Sequence, residues 1–246
     1  MADGLATKSW IMCLIVGGTL LLWQAFAFAQ PIQSQPVTKE VAQALQLEVQ
    51  AASLASQGRA AEAETLYKRS LTVVEEALPN DPLLAGSLNN FGQFYRGQRR
   101  YLEAVELFRR ALAIYGQSYG DNHRLTATVI NNLAAVYLAA GKYDDAGLLY
   151  ARGLGATEKL FGAEHYSVAI SLDWLAQTNF LQKRYSESEA SLRRAIAIAE
   201  KSAGPDSNLA VLLLDHLVSV VKAQGREDEA STIQQRVQLL ADKLKK

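Results

Sequence analysis

The chain has 246 residues, the length of one or two ordinary domains. Its composition, 49 % hydrophobic and 20 % charged, is typical of a globular protein and excludes a largely disordered chain. Lys and Arg number 25, as do Asp and Glu, and this balance argues against a surface for nucleic acid or anionic lipid, which needs a basic excess.

The N-terminal region has the pattern of a targeting segment that is separate from the fold. An uncharged, mostly apolar run over residues 10–29 ends in a small-x-small site, Ala27-Phe28-Ala29. The pattern predicts a signal peptide over residues 1–29, cleaved near Ala29/Gln30, and hence an exported protein that is periplasmic or secreted. The alternative is that residues 10–29 are kept as a membrane anchor, because the run is near the length that a bilayer requires.

A polar linker follows the predicted signal peptide. Residues 30–37, QPIQSQPV, contain two prolines and no hydrophobic periodicity, so we expect them to be disordered. The single cysteine, Cys13, lies inside the apolar run. After cleavage the chain would have no thiol for a disulfide or for a metal, and we expect no cofactor.

The remaining chain repeats itself at an interval of 42 residues. Several series of similar residues keep this spacing: Tyr101, Tyr143 and Tyr185; Phe91, Leu133, Leu175 and Leu217; Arg110, Arg152, Arg194 and Arg236. A further unit precedes them at an interval of 41, and each unit contains two stretches with apolar residues at helical spacing. We predict an all-α protein of about five helix-turn-helix repeats, at about 38–78, 81–120, 123–162, 165–204 and 207–243.

The units resemble the tetratricopeptide repeat. The residues that carry the resemblance in the second unit are Leu88, Phe91, Gly92 and Tyr95 on the first helix and Ala104, Phe108 and Ala111 on the second. The 42-residue unit with NNLAAVY at 131–137 is similar to the longer variant of kinesin light chains and many bacterial proteins, here of an exported type. The resemblance covers residues 38–243 and implies an α-solenoid, wound as a right-handed superhelix, whose first helices line a concave groove.

Four positions depart from the repeat pattern. Asn179 stands where the family has Tyr, and Ser188 stands where it has Ala. Gln50 and Gln234 occupy core positions of the two end units, where a polar outer face is expected of capping repeats. The sequence offers no physical reason for Asn179, because it lies in an interior unit.

The first helices carry the residues that we expect to bind a partner. At about 100° per residue, Asn89, Asn90 and their equivalents project away from the apolar stripe. The predicted groove consists of Asn89, Asn90, Gln93, Arg96, Asn131, Asn132, Asp173, Trp174, Gln177, Phe180, Asp215 and His216. Amides suit the backbone of an extended peptide, and exposed aromatic rings would anchor apolar side chains. Replacing both Asn90 and Asn132 by Ala should then leave the thermal midpoint unchanged or raise it.

These residues predict a non-enzymatic scaffold or adaptor that holds a protein or an extended peptide. The groove is amide-rich at one end and acidic and aromatic at the other, so the partner should bind in one direction. A second hypothesis is a membrane-tethered envelope assembly factor that keeps residues 10–29 as an anchor. A remote third is an enzyme that uses Asp173, Asp215 and His216 for acid–base chemistry.

Two repeated sets of polar residues favour structural roles. His123 and His165 share one loop position, and a joint metal ion is disfavoured because packed helices lie about 8–10 Å apart while zinc–nitrogen bonds are ~2.1 Å. We expect both histidines to be loop or cap residues. The arginine series that begins at Arg69 is matched by acidic residues seven positions earlier, such as Glu62, so we expect pairing on a solvated outer face.

Overall fold

The computed structural model of the protein describes residues 38–244. The predicted signal peptide and linker lie outside these residues. The described part of the chain contains helices and no strands: α1 Lys39–Ser56, α2 Ala60–Ala77, α3 Pro82–Gly97, α4 Tyr101–Tyr119, α5 Arg124–Ala139, α6 Tyr143–Phe161, α7 Tyr166–Leu181, α8 Tyr185–Ala203, α9 Asn208–Ala223 and α10 Glu227–Leu244. The odd-numbered helices are the first helices of five pairs, the even-numbered ones are the second helices, and the all-α prediction is confirmed.

Each first helix begins with a side chain that accepts a hydrogen bond from a backbone N–H in the first turn. These N-cap residues are Thr38, Asp81, His123, His165 and Ser207. Nδ1 of His123 accepts from the Leu125 N–H at 3.3 Å, and Nδ1 of His165 accepts from the Ser167 N–H at 3.1 Å. The histidines are therefore helix caps, as expected, and each satisfies a donor that the helix leaves unpaired.

The turn that joins the two helices of each pair contains a residue with a positive φ angle, in the left-handed region. In chain order these residues are Gly58, Arg99, Gly141, Lys183 and Gly225, with φ angles of 78°, 58°, 75°, 60° and 77°. Glycine adopts this backbone conformation at no steric cost, whereas a side chain makes it unfavourable. Two of the five turns are thus built with a residue type that the backbone disfavours.

The apolar side chains form two clusters along the stack. One cluster joins the first three helix pairs, from Val41 to Tyr150, and the other joins the last two, from Val168 to Leu240. Within the first cluster the ring of Phe108 packs directly on Gly92, where an added Cβ would lie 3.0 Å from the ring. A small residue at this position therefore lets the two helices of the pair approach.

Buried polar residues separate the two clusters. The hydroxyl of Ser171 lies 3.4 Å from that of Thr157, which donates to the Gly153 carbonyl, and Thr178 donates to the Trp174 carbonyl. The unexplained Asn179 is a half-buried residue of α7. Tyr95 and Tyr137, its equivalents, bond through their hydroxyls to Glu64 and Arg109 of the preceding pair.

The arginine series pairs across units rather than within a helix. Its ion pairs are Arg110–Glu75, Arg152–Asp121, Arg194–Glu158 and Arg236–Glu200, each with an acid of the preceding unit. The acids expected as partners pair elsewhere: Glu62 with Arg59, Glu103 with Arg100, and Glu229 with Arg193 and Arg226. The expected partners were therefore wrong, because neighbouring second helices lie closer to the guanidinium groups than a residue two turns away.

Within residues 38–244 no helix combines the length and the apolar character that crossing a bilayer requires.

Candidate functional site

Side chains of successive first helices are joined by hydrogen bonds. The amide of Asn90 donates to Glu48 Oε2 at 2.9 Å, and that of Asn132 donates to Asn89 Oδ1 at 2.8 Å. Nδ1 of His216 lies 2.7 Å from Asp173 Oδ1. We call these residues the first-helix ladder: Glu48, Asn89, Asn90, Asn132, Asp173 and His216. The ladder places predicted site residues from α3, α5, α7 and α9 on one side of the stack.

The ladder is interrupted between α5 and α7. The position that would bond to Asn131 is held by Trp174, whose ring centroid lies 5.8 Å from that of Tyr150. Oδ1 of Asn131 is buried and has no hydrogen-bond partner among the described residues. This oxygen faces Gly153, where an added Cβ would lie 2.2 Å from it. Trp174 is half-buried and packs against the core, so it is less exposed than the sequence predicted.

The acidic end of the ladder is a hydrogen-bonded pair of Asp173 and His216. Asp173 is 5 % exposed, and Nε2 of Gln177 donates to its Oδ2 at 2.9 Å while His216 occupies Oδ1. The hydrogen bond to Asp173 raises the pKa of His216, against the opposing effect of burial, and the charge of Asp215 acts in the same direction. The Asp173 carboxylate is thus engaged by side chains of its own chain.

The predicted groove residues differ in how far they reach solvent. Asn90, Gln93 and Asp215 are exposed; Asn89, Arg96, Asn131, Asn132, Trp174, Gln177, Phe180 and His216 are half-buried; Asp173 is buried. The expectation that all of them project outward was wrong for Asp173 and for the Asn131 amide oxygen. Asp173 turns towards the next first helix, whereas the Asn131 oxygen turns towards the second helix of its own unit.

Glu48 is a ladder residue that the sequence argument missed. It is 7 % exposed, and its Oε1 accepts a hydrogen bond from the Ser70 hydroxyl at 3.1 Å. The signal was available, because Glu48 lies 42 residues before Asn90 and so begins the series that continues with Asn132, Trp174 and His216. A carboxylate differs chemically from an amide, so the pattern was not apparent from residue type.

Comparison with known proteins identifies the repeat. The family model of the tetratricopeptide repeat matches residues 42–115, 83–159, 132–201 and 167–238, in overlapping stretches. None of the curated proteins compared matches the sequence.

Three solved structures illustrate the likeness of the fold. TPR-like repeats assigned to a kinesin light chain of Podosopora anserina are 20 % identical, with a TM-score of 0.77 over 85 % of this chain and 99 % of that one. BtubC (BKLC) from P. vanneervenii is 23 % identical, with a TM-score of 0.75 over 90 % of this chain and 86 % of that one. A Rap protein complexed with competence and sporulation factor is 18 % identical, with a TM-score of 0.62 over 83 % and 55 % of the two chains.

Proposed function

The chain belongs to the tetratricopeptide repeat family, and we propose that it is a non-enzymatic scaffold that binds a protein or an extended peptide on its first-helix ladder and the exposed residues beside it. The proposal rests on the ladder itself, which aligns polar side chains of successive units on one side of the stack. A surface of this kind presents hydrogen-bonding groups at regular intervals, as the backbone of an extended chain does.

The exposed residues beside the ladder supply the groups that remain open to a partner. Gln93 on α3 and Asp215 on α9 are exposed and make no side-chain hydrogen bond to another described residue. One of the structurally similar proteins, the Rap protein, is complexed with competence and sporulation factor. That complex shows that a related fold holds a ligand, and it supports a binding role for this chain.

The contacts of Asp173 favour a structural role over catalysis, because the carboxylate is buried and both of its oxygens are engaged, by His216 and Gln177. A nucleophile activated by His216 would have to lie within hydrogen-bond reach of its ring. The nearby hydroxyls of Ser188 and Ser219 donate instead to helix carbonyls, those of Ala176 and Asp215. Asp173 and His216 form a structural pair, and the enzyme hypothesis has no further support.

The proposal for the compartment rests on the N-terminal sequence alone. We propose that the protein is exported and acts in the periplasm or outside the cell, with the membrane-tethered assembly factor as the alternative. N-terminal sequencing of the exported protein distinguishes the two. A chain that starts at Gln30 supports the soluble scaffold, whereas a chain that retains residues 10–29 supports the tether.

The binding role is tested by crosslinking the protein in its native compartment and identifying what is attached. Capture is then compared among variants that change exposed residues outside the ladder, Gln93→Lys and Asp215→Lys. The matched control is Glu106→Lys, a charge reversal at an exposed residue of the second helix α4. We expect the first two variants to lose the partner and the control to keep it. Equal capture by all three would contradict the proposed face.

A bound partner should have one orientation. The ladder ends in Glu48 and Asn90 at α1 and α3 and in Asp173 and His216 at α7 and α9, so its two ends differ in charge and hydrogen bonding. A peptide derived from the crosslinked segment should therefore bind more tightly than the same peptide with its sequence reversed. Equal affinities would contradict a directional groove.

A further inference from the structure

A cavity of about 230 Å³ opens beside the acidic end of the ladder, between α7, α8 and α9. Its walls are mainly apolar, and its mouth carries polar groups. The residues that matter for the argument are Gln177, Phe180, Leu181, Leu192, His216 and Ser219. Leu192 is 1 % exposed and forms part of the wall, whereas Leu181 is 45 % exposed and lies at the mouth.

The cavity exists because the fourth unit departs from the repeat. At intervals of 42 residues the second helices carry Phe108, Tyr150 and then Leu192. The ring of Phe108 packs on Gly92, and the ring of Tyr150 packs near Trp174. In the fourth unit Leu192 and His216 take the places of Tyr150 and Trp174, and both replacements are smaller. The space that aromatic rings occupy one unit earlier is therefore open.

We propose that this cavity binds an aromatic side chain of the partner, a segment in which the aromatic residue stands between a basic and an acidic residue. This inference rests on the proposed function and specifies the partner's chemistry. An aromatic ring restores the packing that the neighbouring unit makes with its own residues, and a buried ring contributes strongly to binding. The volume is below the ~300–1,000 Å³ of sites for whole small molecules, which favours a side chain as the occupant.

The charges around the mouth specify the flanking residues. Asp215 and Lys222 are exposed on the same face of α9 as Ser219, and neither forms an ion pair within residues 38–244. They are seven residues apart, about 10 Å along the helix. In an extended segment the neighbours on either side of the ring are about 7 Å apart, and long side chains span the rest. A basic neighbour then faces Asp215 while an acidic neighbour faces Lys222.

The direct test is fluorescence anisotropy with the full chain and a labelled Ser/Gly peptide whose centre is Lys-Phe-Glu. Matched peptides carry Lys-Ala-Glu, which lacks the ring, and Gln-Phe-Gln, which lacks the two charges. We expect the loss of the ring to weaken binding about tenfold or more, because a buried aromatic ring removes a large apolar surface from water. We also expect the loss of both flanking charges to weaken binding severalfold. Equal binding of the Phe and Ala peptides would overturn the proposal.

Two variants test whether the ring enters this cavity. Leu192→Phe fills it with an aromatic ring, as the second and third units carry there, so the fold should be kept, and binding of the Phe peptide should fall to the level of the Ala peptide. Leu181→Asp places a charge at the mouth, and Ala139→Asp is its matched control at the equivalent exposed position of the third unit. Thermal unfolding verifies each fold, and undiminished binding by both cavity variants would overturn the assignment.

The same variants separate this inference from the proposed function. If the crosslinked partner is lost on Gln93→Lys and Asp215→Lys but kept on Leu192→Phe and Leu181→Asp, the cavity assignment fails and the scaffold function stands. If all four variants keep the partner, the cavity assignment and the proposed binding face both fail. If all four variants lose the partner while Ala139→Asp and Glu106→Lys keep it, the result supports the cavity assignment and the scaffold function.

Discussion

The side-chain amide of Asn132 donates a hydrogen bond to Asn89 Oδ1 at 2.8 Å, across the boundary between two helix pairs. Asparagine is a poor helix former, about half a kcal/mol worse than alanine per residue, so its presence in two successive first helices needs a compensating interaction. The bond provides one, because it links adjacent units at a half-buried position. The asparagines are therefore part of what holds the stack together as well as candidates for binding.

Replacing Asn89 or Asn132 by Ala should lower the free energy of unfolding by about 0.5 kcal/mol each, because the loss of a hydrogen bond, about 1 kcal/mol, is partly offset by the better helix propensity of alanine. This reverses the sequence-based expectation that alanine at Asn132 is neutral or stabilising. Urea unfolding of the two single variants and the double variant measures the coupling. Because both single changes remove the same bond, the double variant should lose less than their sum. Gln93→Ala is the control, and strictly additive losses would contradict the bond.

The Asp173–His216 pair should make stability depend on pH. The pKa of His216 is raised above its ordinary 6.5 by the hydrogen bond to Asp173. The stabilisation is therefore fully present below pH 6.5 and is lost as pH rises through the folded-state pKa. Thermal midpoints measured from pH 5.5 to 8.5 should fall more for the wild type than for His216→Gln. Asp173→Asn should likewise flatten the dependence. Parallel curves of thermal midpoint against pH for all three proteins would show that the pair does not make stability depend on pH.

The left-handed turn residue of the fourth unit offers a stabilising substitution. Lys183 has a φ of 60°, and its equivalent in the third unit is Gly141, with a φ of 75°. A side chain in this region costs roughly 1–2 kcal/mol, and part of the gain on its removal is offset by the greater freedom of glycine when unfolded. Lys183→Gly should raise the free energy of unfolding by up to about 1 kcal/mol, and Gly141→Ala should lower it by a similar amount.

Lys183→Ala serves as the control for this pair. It removes the lysine side chain but keeps a Cβ in the left-handed conformation, so it should leave the free energy of unfolding near the wild-type value. Calorimetric midpoints of the three variants provide the measurement. A destabilised Lys183→Gly protein would indicate that the lysine side chain itself stabilises the turn.

Substitutions at Gly153 and Asn131 should be strongly coupled in their effects on the free energy of unfolding. A Cβ at Gly153 would lie 2.2 Å from Asn131 Oδ1, whereas a Cβ at Gly155, on the same helix, would have no atom within 4 Å apart from its chain neighbours and the nearby backbone of its own helix. Gly155→Ala should therefore stabilise by about 0.5–1 kcal/mol through helix propensity alone. Gly153→Ala should gain less or lose stability, because the amide must move. In an Asn131→Ala background the two glycine substitutions should become equally favourable, and chemical denaturation of the six proteins measures this.

The amino-acid sequence by itself determined the repeat architecture. The 42-residue interval fixes which residues are equivalent, and helical spacing of the apolar residues within each unit fixes which side of each helix is buried. The cap and turn residues are also local. His123 accepts a hydrogen bond from the backbone two residues later, and Gly141 sets the backbone of its own turn. These features depend on neighbours along the chain, and neighbours along the chain are visible in the sequence.

Tertiary structure decided what the polar residues do. Asn132 bonds to Asn89, 43 residues away, and Arg194 pairs with Glu158 rather than with the acid on its own helix. The distance between side chains on different helices depends on how closely those helices pack, which the repeat pattern does not specify. The cavity beside Leu192 also depends on how closely the helices pack. A smaller side chain is visible in the sequence, but whether the neighbouring helices close over it depends on the three-dimensional packing of α7, α8 and α9.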